Sequence, residues 1–306
     1  MSAVSGDFTC RGAPLEYWFV KLQAGDLSFL VDFIFRAGAD AAEVRISLWV
    51  RRKGRVVRSG TISGRARGTE VVIGESLFAA NRSIGRIADV GWELSWEPGS
   101  VRIAPSIPVT GVLHPLDLEL ISYPRLSITG QVRVSHEVFP VRNAAGTMTH
   151  YWGRRLPDAW RWVSAAGPDG TGTAVEAVLM RTRLWGRAPA LAAGYLWTAG
   201  EKRQAGNLLV SPVSGLLNTA GPGTDFVLTG RSLRRTVRLS CRAAPEDFND
   251  LGEGIRQTLQ GTCTLAGDSP AMTGAGLEYR SLAWKLRENK TPRSWDRGVN
   301  GDSTHP

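Results

Sequence analysis

Alternation of apolar and polar residues with a period of two runs through most of this chain, and that period belongs to β-strands. Residues 126–134 show it most cleanly: Leu126, Ile128, Val132 and Val134 alternate with Ser127, Thr129, Gln131 and Arg133. Residues 44–50, 233–241 and 255–265 repeat the pattern. In residues 29–35 the apolar face is largely aromatic, with Phe29, Val31, Phe33 and Phe35 standing opposite Ser28 and Asp32. Glycine-containing breaks separate most of these segments, and only residues 245–254 and 276–287 admit a short helix. Many short strands with Gly-rich turns form sandwiches or barrels, and closing a barrel removes exposed edges. At 306 residues the chain is long enough for two such units. The expectation is therefore an all-β protein of two antiparallel β-barrel domains, residues 1–145 and 146–288. They divide where the irregular AAGTM stretch interrupts the pattern, and a polar, disordered tail follows at 289–306.

Composition narrows the function classes. The cysteines are Cys10, Cys241 and Cys263, an odd number without CxxC spacing, so neither a disulfide framework nor a zinc site is expected. A reducing, cytoplasmic compartment fits that usage. The N-terminus has no basic region leading into an apolar stretch, and Asp32 interrupts the strongest apolar run, so neither export nor a membrane span is expected. The net charge of +9 raises the question of an anionic partner, but the basic residues are spread along the chain. The densest group, Arg51, Arg52 and Lys53 with Arg55 and Arg58, reads as a charged hairpin turn rather than a nucleic-acid patch, and leaves room for transient contact with an anionic membrane surface. No nucleophile elbow, P-loop, dinucleotide loop or HExxH pattern is present, so no nucleotide, metal or other cofactor is expected.

The tryptophans carry the most information. There are eleven, and five lie between positions 152 and 197. Large rigid aromatics suit the wall of an apolar cavity, although they also pack any β core well. Two-residue spacing in a strand puts His150 beside Trp152 and Trp160 beside Trp162. An imidazole next to an indole is a plausible proton site, because histidine titrates near neutrality and an indole face stabilises a developing cation.

The run YWGRRLPDAWRW, residues 151–162, resembles the YWG-x-x-LP-x-x-W-x-W signature of tocopherol cyclases. His150 with Trp152 resembles the H-x-W-G element of carotenoid 1,2-hydratases and related lipocalin-like proteins, and Glu16 to Lys21, EYWFVK, resembles the opening motif of the same group. The resemblance spans residues 16–279 and implies a pair of lipocalin-like barrels enclosing a lipophilic small molecule. It further implies cofactor-free chemistry on isoprenoid or polyene substrates, in which a protonated alkene is captured by water in a hydratase or by an internal hydroxyl in a cyclase. Under it, His150, Trp152 and Glu16 are the candidate catalytic residues. Trp18, Phe33, Tyr151, Trp160, Trp162, Trp185 and Tyr279 are the candidate ligand wall. The Y-x-D element of the hydratases is missing after Trp162, and Glu176 and Glu278 are the acidic residues nearest to that role. A carboxyl group in an apolar pocket stays protonated near neutrality, so Glu16, Glu176 or Glu278 could donate the proton if it points inward. Two function classes stand: a cofactor-independent cyclase or hydratase, and a non-catalytic carrier or sensor of a lipophilic ligand.

Overall fold

The computed structural model describes residues 7–36, 42–50, 54–62, 64–68, 70–97, 101–104, 118–167, 173–184, 187–199, 217–221, 223–231, 236–267 and 271–280. The expected tail at 289–306 and Trp185 lie outside these residues, as does the turn at 51–53.

Eleven strands form the first sheet: β1 (Leu15–Ala24), β2 (Leu27–Arg36), β3 (Ala42–Val50), β4 (Gly54–Ile62), β5 (Gly64–Arg67), β6 (Glu70–Ile73), β7 (Ser76–Ala79), β8 (Arg82–Ile87), β9 (Val90–Glu97), β10 (Leu118–Val134) and β11 (Glu137–Gly153). Their order is β4-β3-β2-β1-β11-β10-β9-β8-β7-β6-β5. The second sheet holds β12 (Ala159–Ala166), β13 (Ala174–Leu184), β14 (Arg187–Ala199), β15 (Leu217–Ala220), β16 (Asp225–Arg231), β17 (Thr236–Arg242), β18 (Asn249–Asp250), β19 (Ile255–Leu265) and β20 (Met272–Arg280). Its order is β14-β13-β12-β20-β19-β17-β16-β15, with β18 paired to β19. Each sheet is barrel-like and antiparallel, as the period-two pattern requires.

Two expectations from the sequence change. Division at 145/146 would cut β11, whose last eight residues pair with β1 from Gly153 opposite Leu15 to Gly146 opposite Leu22. The chain passes between sheets at residues 154–158 instead. The AAGTM stretch breaks the alternation because Gly146 sits where β1 and β10 crowd β11, and a Cβ there would lie 2.2 Å from Ile128 and 2.7 Å from the Lys21 carbonyl. The expected helical segments are a 3-10 turn at Pro245–Asp247 followed by β18, and strand β20 through Arg280.

Three cores follow from the alternation. Inside the first barrel, Trp18, Val20 and Leu22 of β1 face Phe33, Val31 and Phe29 of β2. The opposite face of the same strands, with Tyr17, Phe19 and Leu30, packs against Trp160, Trp162, Met180 and Tyr195 of the second sheet. The other face of the second sheet carries Val163, Leu179, Phe226, Leu239 and Leu277. Strand β2 is thus buried on both faces over its first eight residues, which explains an apolar run in an antiparallel sheet. Cys241 and Cys263 stand directly opposite each other in the third core as free thiols, with sulfurs 3.2 Å apart.

Candidate active site between the barrels

Alternation along β11 separates the candidate residues into two places. His150 lies opposite Trp18 and Ile121 on the inner face of the first barrel, whereas Tyr151 lies opposite Tyr17 and Leu120 on the outer face. The expectation of one cavity shared by His150, Trp152, Trp160 and Trp162 is therefore corrected.

His150 is fully buried, its ring 4.7 Å from Trp18 in a near-parallel stack and 4.7 Å from Trp152. Nδ1 lies 2.9 Å from the Asp7 carbonyl, which only accepts, so that nitrogen carries a proton. Nε2 lies 3.1 Å from Glu16 Oε2. Glu16 also accepts the backbone N–H groups of Arg11 and Ala13 at 3.0 and 2.9 Å. Burial pushes its carboxyl upward, but the hydrogen bonds from His150 and those two amides outweigh this and hold it below the usual range. Both ring nitrogens are engaged and both ring faces are covered, so this pair anchors residues 7–13 to the barrel and offers no surface to a ligand. Phe33 belongs to the same core, packed on Phe78 and Trp92. Tyr279 faces the third core, in an edge contact with Phe248, and does not line the cavity.

Besides a larger, more open hollow bordered by Arg11, Arg102, Glu119, Ile121 and Trp152, a cavity lies between the sheets. It measures about 60 Å³ and is lined by Tyr17, Phe19, Leu30, Asp32, Arg45, Leu120, Thr149 and Tyr151 of the first sheet. From the second come Trp160, Trp162, Glu176, Val178, Met180, Gln257 and Glu278, and Leu156 and Pro157 of the crossing segment close it. By the measure in which one water needs roughly 10–15 Å³, that space holds several waters or a compact organic group. The W-x-W spacing acquires a role here. Trp160 donates its indole N–H to Glu278 Oε1 at 2.7 Å, and Trp162 donates to Glu176 Oε1 at 2.9 Å. Two indoles on one face of β12 thus hold one carboxyl each, from β20 and β13.

Three carboxyl groups therefore face an aromatic cavity. Burial pushes Glu176 up to about 7, against hydrogen bonds from Trp162, Ser164 and Thr147 and the charge of Lys21. Burial also pushes Asp32 up to about 6, although the Arg45 guanidinium sits 2.8 Å away and pulls the other way. Lys21 extends from β1 toward the second sheet, donating to the Ser164 carbonyl at 3.0 Å, and burial brings its amine down to about 8. Tyr17 and Tyr151, with ring centroids 4.7 Å apart, are both raised well above the usual phenol range by burial and stay neutral.

Sequence reasoning found Tyr151, Trp160 and Trp162, and it named Glu176 and Glu278 as possible acids. It missed Tyr17, Asp32, Arg45 and Gln257. Asp32 carried a signal, as the single charge among residues 27–35. Arg45 and Gln257 carried none, because polar residues in a strand normally mark its solvated face.

No family model matches the sequence, and a search of curated proteins finds no match. Solved structures do share the fold. A candidate AttH from Nitrosomonas europaea is 16% identical over 90% of this chain and 95% of its own, with a TM-score of 0.64. CghA, solved with Sch210972, is 11% identical over 88% of each chain, with a TM-score of 0.59. Kievitone hydratase from Nectria haematococca is 13% identical over 91% of this chain and 92% of its own, with a TM-score of 0.55. At these identities the likeness is one of architecture: the chain has the all-β, two-barrel lipocalin-like fold.

Proposed function

We propose that this chain is a cofactor-independent hydratase or cyclase acting on an apolar, alkene-bearing small molecule held between the two barrels. The observation that carries this reading is Glu176, a fully buried carboxyl raised to about 7 in an aromatic cavity. About half of it is protonated at neutral pH, which suits a general acid. Asp32, raised to about 6, is mostly ionised there, and a pair of carboxyl groups of which one holds its proton and the other does not suits an acid and a base.

In this mechanism the neutral Glu176 transfers its proton to one alkene carbon, and positive charge develops on the other. The π faces of Trp162 and Phe19, themselves in edge contact at 5.4 Å, stabilise that charge. Water captures the cation in a hydration, and a hydroxyl of the substrate captures it in a cyclisation. The oxygen then loses a proton to a carboxylate, Asp32 or Glu278, and proton exchange restores Glu176. One kind of name among the structures of this fold, kievitone hydratase, agrees with the first outcome.

The test is incubation with prenylated phenols, polyprenyl quinols and linear polyenes in deuterated water, with products read by mass spectrometry. One carbon-bound deuterium per product, with a rate falling about 10²–10⁴-fold in Glu176→Gln, supports the acid role. Unchanged rates in Glu176→Gln would remove that role. Recovery of an unmodified lipophile by native mass spectrometry, with no turnover of any substrate, would make the protein a carrier.

A further inference from the structure

Two polar atoms in the cavity wall have no hydrogen-bond partner among the described residues: the Tyr151 hydroxyl and Gln257 Oε1. Tyr151 is 5% exposed and Gln257 1% exposed, and both line the cavity. Buried polar groups of this kind are normally satisfied by protein, water or ligand, and covering them with a ligand that offers no partner is costly. Their neighbours are satisfied: Trp160 and Trp162 each reach a carboxylate, and Asp32 pairs with Arg45. The two orphans stand on opposite walls, Tyr151 on β11 of the first sheet and Gln257 on β19 of the second.

Chemistry fixes what would satisfy them. Gln257 Nε2 donates to Glu278 Oε2 at 2.7 Å, and because a carboxylate only accepts, this orients the amide and leaves Oε1 as a pure acceptor. A ligand must therefore present a donor to Gln257. The Tyr151 hydroxyl supplies a donor and asks for an acceptor. An ammonium offers donors only, an ether or ketone acceptors only, and a carboxylate would meet Asp32, Glu176 and Glu278 across the same small space. A hydroxyl group supplies both roles and carries no charge.

We infer that Tyr151 and Gln257 form a polar subsite that selects a hydroxyl-bearing ligand, a phenol or an alcohol, over a hydrocarbon of the same shape. This rests on the inter-barrel cavity being the ligand site, and it narrows the substrate class from polyenes in general to hydroxylated ones.

Isothermal titration with 4-propylphenol, 4-propylanisole and propylbenzene tests it on the wild-type protein and on Tyr151→Phe and Gln257→Met. The wild type should bind the phenol about tenfold more tightly than the other two, about the worth of one hydrogen bond made in a buried site. Each variant should reduce that preference to less than threefold. Tyr151→Phe removes an atom that makes no bond within the protein and should keep the wild-type unfolding temperature, whereas Gln257→Met also removes the Nε2 bond to Glu278 and should lower it; the preference lost in Tyr151→Phe therefore separates loss of the subsite from loss of the fold. Equal binding of all three probes by the wild type would overturn the subsite and leave the cavity reading intact. Binding of none of them would overturn both.

Discussion

His150 and Tyr151 are neighbours on β11 yet serve different compartments: the imidazole stacks 4.7 Å from Trp18 inside the first barrel, and the phenol ring lies 4.7 Å from Tyr17 at the inter-barrel cavity. A single step along a strand reverses the side-chain direction, and here both directions are buried. Replacing His150 by Ala leaves Glu16 charged in the core without its partner, at an expected cost of about 3–5 kcal/mol. Denaturant unfolding should show that loss, while titration with 4-propylphenol should show affinity within twofold of wild type.

The raised Glu176 carboxyl makes stability depend on pH. Its folded value, about 7, lies above the ordinary 4.5, so folding favours the protonated form. The contribution is fully present below pH 4.5 and is lost as pH rises through 7. Glu176→Gln, which keeps the shape and cannot ionise, should match the wild type near pH 4 and exceed it at pH 8. The difference should reach up to about 3 kcal/mol, read by urea unfolding across that range.

Asp32 and Arg45 form a buried pair, with side chains 4% and 14% exposed. Arg45→Met removes the compensating charge and should cost about 3–5 kcal/mol at pH 8, where Asp32 is ionised. The loss should shrink at pH 5, where the isolated carboxyl takes up a proton. Thermal unfolding at the two values checks the sign.

Gly276 on β20 makes room for Trp162: a Cβ there would lie 2.7 Å from two atoms of the indole ring. A rigid aromatic cannot yield that distance without leaving its bond to Glu176. Gly276→Val should destabilise the fold by about 1–3 kcal/mol. It should also shift the tryptophan emission and weaken probe binding, both measurable by fluorescence.

Much of the architecture was legible because alternation is a local property. The aromatic face of β2, the strand at Ile255–Leu265 and the same-side pairs His150 with Trp152 and Trp160 with Trp162 all follow from spacing alone. Which pair faces which space depends on long-range pairing: β1 adds to β11, 122 to 138 residues away in sequence, and no local pattern specifies that. The aromatic motif therefore pointed to a stretch of chain that borders the inter-barrel cavity, and it merged two compartments into one. The setting of the cavity carboxyls was harder still to read. Glu176 sits among Ala174, Val178 and Met180 on its face of β13, and only the Trp162 indole arriving from β12 reveals why an acid belongs there.

The central claim is that the ligand lies between the barrels and away from His150. A crystal grown with 4-bromophenol, with bromine located by anomalous scattering, tests it most directly. The bromine peak should lie in the cavity bounded by Tyr151, Trp162, Glu176 and Gln257. A peak inside the first barrel beside His150 and Trp152, or none in the inter-barrel cavity at saturating probe, would contradict it.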